Sequence, residues 1–309
     1  MDARPSAISR AFWISAVAVV LTAFAVQVGA DTPQSITVQA QREQEKLRHD
    51  LDVFVSTAIV PPLNYGDSLW RWKAEVCPVV AGLNKQLGEY VLFRVSQIAR
   101  KVGAPLGSET CEPNFYVIVA DDPALLLSKW WKRSPDLFGG EQGAKVKQFL
   151  DTPRPIRVWY NADTQGADGN FVTGLLDETS TRARPFNNEF VVNVRPSFLG
   201  SRITVSATRN IYSVIVVVDS DKVGGLDLGP LADYIGVIGL AQINLDKQLG
   251  DAPTILKLFT APEDTRPTAM TTWDRALLHA LYSTRQTERI QTSQMETVAL
   301  REIESERGH

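Results

Sequence analysis

Two aspartates that follow an apolar run have the spacing that best suits metal chemistry in this chain. Residues 216–218 are all valine, and Asp219, Ser220 and Asp221 come directly after them. Two carboxylates at the carboxyl end of a strand can hold a hard cation such as Mg²⁺ for phosphoryl or glycosyl transfer. The same residue types also form ordinary turns after strands. Asp219 and Asp221 are therefore a candidate metal site, which would belong to a metal-assisted hydrolase or transferase.

The three histidines do not have the spacing of a zinc site. His49, His279 and His309 are far apart in the sequence, and none has a second histidine at helical spacing. The chain also has no Gly-x-Ser-x-Gly segment and no Ser-x-x-Lys pair, which are local signs of a serine nucleophile. Apart from the two aspartates, the sequence therefore predicts no catalytic residue and no cofactor.

Aromatic side chains offer a second kind of site. Trp70 and Trp72 alternate with charged residues, so a strand would place both indoles on one face. Such a pair could line a groove for a sugar or a peptide, because aromatic faces supply a large contact area. Packing into the core is the other interpretation of these tryptophans.

The elements that would position these residues alternate between strands and helices in the first half and end in helices. Apolar spacing predicts strands over 69–76, 115–119, 156–160, 189–194 and 211–218, with a long polar connection over 161–187. Helices are predicted over 39–59, 89–101, 122–133, 228–245, 271–283 and 288–306, the last one on the surface.

This order predicts an α+β fold, in which a mixed sheet is packed by helices. Residues 31–150 would form an amino-terminal α/β segment, and residues 151–309 a carboxyl-terminal segment of strands followed by helices. The two segments could form separate lobes. Residues 211–218 are almost continuously apolar and β-branched, which indicates a strand that is buried on both faces.

The first thirty residues have the pattern of a signal peptide. Arg4 and Arg10 precede a stretch without charge, and small residues at Val28 and Ala30 suit a cleavage site after residue 30. The apolar core is shorter than the roughly 20 residues that a membrane span prefers. We therefore expect a periplasmic or secreted protein, with an uncleaved membrane anchor as the alternative.

Composition narrows the partners of the exported chain. The full chain has a formal net charge of −3, and removal of residues 1–30 leaves it mildly acidic and without a basic block. Such a chain is a poor electrostatic match for nucleic acid. After cleavage no apolar run approaches the length of a membrane span, so we expect no span in the exported chain. The expected partner is a protein or a small ligand in the cell envelope.

Export also decides how the two cysteines are interpreted. Cys77 and Cys111 are the only cysteines, and an even count in an exported chain predicts a disulfide. A pair of buried free thiols is the alternative. The bond would connect the end of the first predicted strand to the start of the second.

Four segments of the last third resemble an exported proteobacterial family of unknown function that is grouped with zincin-like metallopeptidases. That family has a hydrophobic strand, a helix ending in Gly-Leu, a short apolar segment, and a helix of the form Thr-x-x-Asp-Arg-x-Leu-Leu-x-x-Leu-Tyr. The matching segments here are Ile215 to Val218, Leu231 to Leu240, Thr254-Ile255-Leu256, and Thr271-Thr272-Trp273-Asp274-Arg275-Ala276-Leu277-Leu278-His279-Ala280-Leu281-Tyr282.

The chain departs from that family at the helix that would carry zinc ligands. This segment reads Ala232-Asp233-Tyr234-Ile235-Gly236-Val237 and has neither histidine nor glutamate. The resemblance therefore implies a zincin-like scaffold without its zinc-binding motif, and it does not imply peptidase activity. A non-catalytic binding or interaction protein of the cell envelope is the leading hypothesis, with the enzyme built on Asp219 and Asp221 as the alternative.

Overall fold

The computed structural model describes residues 33–62, 68–139, 144–166, 207–286 and 290–307, with side chains from residue 38 onward. The predicted leader over 1–30, the predicted strand over 189–194 and most of the predicted connection over 161–187 lie outside these residues. From Glu43 onward the chain forms one compact unit.

Helices and strands alternate along the described chain. The strands are β1 (Arg71–Trp72), β2 (Pro78–Ala81), β3 (Phe115–Ala120), β4 (Ile156–Gly166) and β5 (Ala207–Asp219). The helices are α1 (Pro33–Ala58), α2 (Lys85–Val102), α3 (Pro123–Arg133), α4 (Ala144–Asp151), α5 (Ser220–Val223), α6 (Leu228–Leu240), α7 (Thr272–Ser283) and α8 (Gln291–Arg307). Short 3-10 turns lie at Pro135–Phe138, Ile255–Lys257 and Glu263–Thr265.

The strands form one mixed sheet around β5, as the predicted α+β class requires. β4 pairs antiparallel with β5 from Ala207 to Val218. β1 and then β3 pair in parallel with β5 on its other side, and β2 pairs in parallel with β3. β1, β2 and β3 precede residue 150 and β4 and β5 follow it, so the sheet joins both segments that the sequence separates at that residue.

Each face of the sheet supports a separate apolar cluster, because successive side chains of β5 point to opposite faces. Val214, Val216 and Val218 belong to the larger cluster, together with residues of α1, α2, α6, α7 and α8. Ile215 and Val217 belong to a smaller cluster with residues of α3, α4 and the turn at Pro135–Phe138. All five of these β5 residues are at most 2% exposed, which confirms the prediction of a strand buried on both faces.

Glycine lets α6 approach the sheet closely. A Cβ at Gly239 would lie 1.9 Å from the ring of Phe115 on β3, and one at Gly236 would lie 2.6 Å from Ile98 on α2. The Trp72 indole donates to the Gly239 carbonyl oxygen at 2.9 Å. The absence of side chains at these two positions therefore brings α6, α2 and two strands into direct contact.

Tyrosine hydroxyls determine where α6 ends. The Tyr160 hydroxyl donates to the Ile238 carbonyl oxygen at 2.6 Å, and the Tyr282 hydroxyl donates to that of Leu240 at 2.6 Å. Burial raises the pKa of both tyrosines well above the usual range, so both hydroxyls stay protonated donors. They bind carbonyl groups that have no partner within the helix. The helix consequently ends at Leu240 and not at residue 245 as predicted.

Three further elements differ from the sequence prediction. The first strand is limited to Arg71–Trp72, because β3 takes over pairing on that side of β5 from Val214 onward. β4 continues to Gly166 because β5 begins at Ala207, which pairs with Gly166. The register of this pairing shifts between Asn161 and Ala162. The last helix is not a surface helix: Met295, Ala299 and Ile303 recur every four residues, and all three are at most 1% exposed.

The predicted Cys77–Cys111 disulfide is present, with a Cα–Cα distance of 5.9 Å. Cys77 directly precedes β2 and Cys111 lies four residues before β3, so the bond links the starts of two neighbouring parallel strands. Gly107 packs against it, and a Cβ there would lie 2.7 Å or less from both sulfur atoms. Among the described residues, no helix has both the length and the apolar character that crossing a bilayer requires.

Candidate functional site

The two aspartates of the candidate metal site lie in different environments. Asp219 is 7% exposed and caps α5, where it accepts from the Lys222 amide at 3.3 Å and contacts Lys222 Nζ at 2.8 Å. Asp221 is exposed. In the described residues no group of three or more His, Cys, Asp or Glu side chains is placed to hold a metal ion. A cation that binds Asp219 would have to displace Lys222. The metal-assisted function therefore stays a prediction. Calorimetric titration with Mg²⁺ tests it.

The two tryptophans of the candidate groove differ in burial, and both contact the larger apolar cluster. Trp72 is 1% exposed, and its ring stacks on Phe115 with the centroids 6.4 Å apart. Trp70 is half-buried and packs against the same cluster. Trp72 therefore does not line a surface groove, because a ligand could reach its ring only by opening the contact between α6 and the sheet.

The acidic residue of α6 is used in an internal ion pair. Asp233 is fully buried and accepts from Nε and Nη2 of Arg94, both at 2.8 Å. It also accepts from the Met270 amide at 2.8 Å. Hydrogen bonding to Asp233 raises the pKa of Arg94 above its usual range. This bidentate pair connects α2, α6 and the segment before α7, and it leaves Asp233 without a free carboxylate oxygen.

The Thr-x-x-Asp segment of the family resemblance forms a capping box. The Thr271 hydroxyl accepts from the Asp274 amide at 3.2 Å, and the Asp274 carboxylate accepts from the Thr271 amide at 2.8 Å. Asp274 is fully buried and also binds the Thr254 hydroxyl and the Ile255 amide. Burial raises the pKa of Asp274, and these donors oppose that shift. The segment therefore begins α7 and connects it to the turn at Ile255–Lys257.

The arginine that follows in the same segment joins α7 to α8. Arg275 forms ion pairs with Glu302 and Glu306. Glu302 also lies 2.8 Å from Nδ1 of His279. The polar side chains Asp274, Arg275 and His279 of α7 thus all have structural partners, which gives a physical reason for this sequence pattern without a metal.

A groove of about 860 Å³, called here the loop groove, lies between β4 and the loops that follow α6. One wall is the start of β4, where Arg154, Pro155 and Ile156 lie. The other wall is the connection from α6 to α7, over residues 243–265. Functional sites are often formed by loops on a rigid scaffold, and a volume of this size lies within the ~300–1,000 Å³ range of small-molecule pockets.

The loop groove has an apolar floor and a charged rim. Its floor contains Tyr234 and Phe259, whose rings pack edge to face with centroids 5.0 Å apart. Arg154 and Asp246 form an ion pair at the rim, where Lys247, Asp251 and Lys257 also lie. The described lining residues include no histidine, cysteine or serine, the side chains that most often act as base or nucleophile.

Tyr234 is the polar group at the floor of the loop groove. Its side chain is 6% exposed, and burial raises its pKa well above the usual range, so the hydroxyl stays neutral. Within the described residues the hydroxyl has no hydrogen-bond partner that would compete with a ligand. A neutral donor among apolar side chains can orient a ligand in the groove.

The loop groove is not among the sites predicted from the sequence. Its loop wall begins inside the segment that was predicted to be the end of a helix, and it continues through Asp246, Gly250, Asp251 and Pro253. Such a polar run with glycine and proline is typical of a loop. Composition could therefore have predicted the loop, but the groove also needs β4, which lies about ninety residues earlier in the chain.

Another concave site, about 630 Å³ in volume, lies between α1 and α8 and is lined mainly by charged side chains. Asp52 of α1, Glu296 of α8 and His49 all line it. Partial burial and the neighbouring Asp52 carboxylate raise the pKa of Glu296 to about 7. Two neighbouring carboxyl groups disfavour ionising together, so this pair favours holding one proton.

Comparison with protein-family models, with curated proteins and with solved structures finds no match to this chain.

Proposed function

We propose that this protein is an exported, non-catalytic binding protein that holds a small ligand in the loop groove. The observation that carries the proposal is the groove itself, with its apolar floor, one neutral tyrosine donor and a rim of both charges. Binding needs such a surface, and it does not need a nucleophile and a base. The apolar floor favours a ligand with an apolar body, and the volume favours a small molecule over a folded protein.

Export is part of the same proposal. The signal-peptide pattern over residues 1–30 supports it, and so does the Cys77–Cys111 disulfide, because such bonds persist in oxidising compartments. Intact mass of the protein from a periplasmic fraction tests this part. A mass that corresponds to a chain starting at Asp31 is expected, whereas a full-length chain in the membrane fraction would favour the anchor.

We further propose that the scaffold is related to the zincin-like family and lacks the chemistry of its peptidases. The four matching segments are the basis for the relation. The absence of histidine and glutamate from residues 232–237 supports the lack of peptidase chemistry, as does the use of Asp233 in an ion pair with Arg94. Labelled casein is expected to stay intact with the purified protein, with or without added Zn²⁺. Cleavage that a chelator abolishes would contradict the proposal.

Filling the loop groove tests the binding function directly. Nile red, a neutral dye whose fluorescence rises in apolar surroundings, is a suitable probe. The dye is expected to bind the oxidised wild type with saturation. Ala261 lines the groove, so the larger side chain of Ala261→Trp should fill it and weaken dye binding about tenfold or more.

The matched control for this experiment is Ala81→Trp, which adds the same side chain at an exposed position on β2. It is expected to bind the dye as the wild type does. Unsaturable fluorescence, or equal binding by Ala261→Trp and the wild type, would overturn the proposal.

A further inference from the structure

Arg157 on β4 is a buried cation with an unused donor. The residue is 6% exposed, and its Nε donates to the Thr152 carbonyl oxygen at 2.8 Å. Its Nη1 is buried and has no hydrogen-bond partner in the described part of the chain. Leaving a charged donor without a partner is costly, so such a group is normally found opposite an acceptor.

The described residues around Arg157 supply no hydrogen-bond acceptor for its Nη1. Arg157 pairs with Val217 of β5, on the sheet face that carries the smaller apolar cluster. Burial there lowers the pKa of Arg157, and the Asp219 and Asp122 carboxylates only partly offset the effect. Arginine nevertheless stays charged in proteins, so the site keeps a positive charge that favours an anion.

Arg157 lines a cavity of about 260 Å³ between α4 and β4, called here the arginine cavity. Lys145 of α4 and Arg154 add two more cations to its lining. Among the described lining residues the one acidic side chain is that of Asp246, which pairs with Arg154. The lining therefore carries an excess of positive charge, in a chain whose formal net charge is −3.

Aromatic rings form the apolar wall of the arginine cavity. Trp159 and Phe149 both line it, and their ring centroids are 5.2 Å apart. The Trp159 indole is fixed by donation to the Asn161 side chain at 2.9 Å. A preformed aromatic wall beside a guanidinium group suits a flat apolar body that carries a carboxylate or phosphate.

From these observations we infer that the arginine cavity is a second binding site, which takes a small organic anion. The carboxylate or phosphate oxygens of the ligand accept from Arg157 Nη1, and its apolar body packs on Phe149 and Trp159. The cavity volume limits the ligand to a small molecule. The arginine cavity shares the lining residues Arg154, Leu245 and Asp246 with the loop groove. This inference rests on the proposed function only in that the two sites have these residues in common.

Binding of 1-naphthyl phosphate, compared with the neutral 2-naphthol, tests this inference by isothermal titration calorimetry. The phosphate is expected to bind the wild type about tenfold more tightly than the naphthol, and increasing salt should weaken its binding. Arg157→Gln should lower the affinity for the phosphate about tenfold and leave that for naphthol almost unchanged.

A second variant keeps the test decisive if Arg157→Gln does not fold. Gln148→Glu introduces a negative charge at an exposed lining residue of α4, and it should also weaken phosphate binding about tenfold. Gln86→Glu, at an exposed position on α2, is its matched control and should bind as the wild type does.

The variants also separate this site from the loop groove. Ala261→Trp fills the groove and should leave phosphate binding intact, so either site can fail while the other stands. Equal affinity for phosphate and naphthol, or phosphate binding unchanged in Gln148→Glu, would overturn the inference. Loss of phosphate binding in Ala261→Trp but not in Gln148→Glu would place the anion in the groove and would also overturn it.

Discussion

At the scale of single residues, the buried charges of this chain fall into two groups. Asp233 and Asp274 are fully buried, and each accepts several hydrogen bonds from neighbouring elements. Arg157 is also buried, at 6% exposed, but one of its donors has no partner in the described residues. Buried polar groups are normally satisfied, so the first group indicates a role in the fold and Arg157 indicates a ligand.

Glu296 is the residue for which a pH effect on stability is expected. Partial burial and Asp52 raise its pKa to about 7, so the folded protein binds this proton more tightly than the unfolded chain does. The resulting stabilisation is fully present below about pH 4.3, the pKa of a free glutamate, and it is lost as the pH rises through 7. Glu296→Gln should remove this pH dependence.

Urea denaturation at about pH 5 and about pH 8 measures the effect. The free energy of unfolding of the wild type should fall by about 1 kcal/mol more than that of Glu296→Gln, a small value because solvent screens this partly exposed pair. Glu89→Gln, at an exposed position on α2, is the control and should follow the wild type. Identical pH profiles of wild type and Glu296→Gln would refute the prediction.

At the scale of elements, the packing of α6 against the sheet depends on one missing side chain. Gly239→Ala would place a Cβ 1.9 Å from the Phe115 ring, so α6 or β3 must move. Overpacking of a close-packed interior typically costs ~1–3 kcal/mol, and this contact should reach the upper end of that range. The Trp72 hydrogen bond to the Gly239 carbonyl oxygen would be strained by the same movement.

Gly229→Ala is a matched substitution in the same helix. Apart from its chain neighbours, a Cβ there meets only the Tyr90 hydroxyl, at 3.4 Å. Helix propensity favours alanine and the following Pro230 disfavours it, so this variant should stay within about 1 kcal/mol of the wild type. Thermal unfolding followed by circular dichroism compares the two. Similar melting temperatures for both variants would show that α6 does not depend on the close approach at Gly239.

At the scale of the whole molecule, local signals predict the elements and long-range pairing determines the sites. The apolar run of β5, the Thr271 cap of α7 and the disulfide are all predicted from the sequence, because each is encoded by neighbouring residues or by residue counts. The arginine cavity needs α4 and β4 to lie beside residues 245–246, and no local pattern encodes that approach. Trp72 shows the same limit, because its burial depends on α6.

The disulfide is the covalent link through which the compartment affects the stability of the whole molecule. It spans 34 residues and links the starts of β2 and β3, and the chain-entropy model assigns a loop of this size up to about 4 kcal/mol. The double variant Cys77→Ala/Cys111→Ala should therefore unfold at lower urea concentration than the oxidised wild type. Alanine is preferred to a larger residue because Gly107 leaves no room beside the sulfur atoms.

Reductant provides the control for this last prediction. Dithiothreitol should destabilise the wild type to nearly the level of the double variant, and it should leave the variant unchanged, since that variant has no cysteine. Equal stability of the oxidised wild type and the variant would mean that β2 and β3 pair equally well without the disulfide. The expected loss would instead mean that the fold gains its full stability in an oxidising compartment, which is the environment that the signal-peptide pattern predicts.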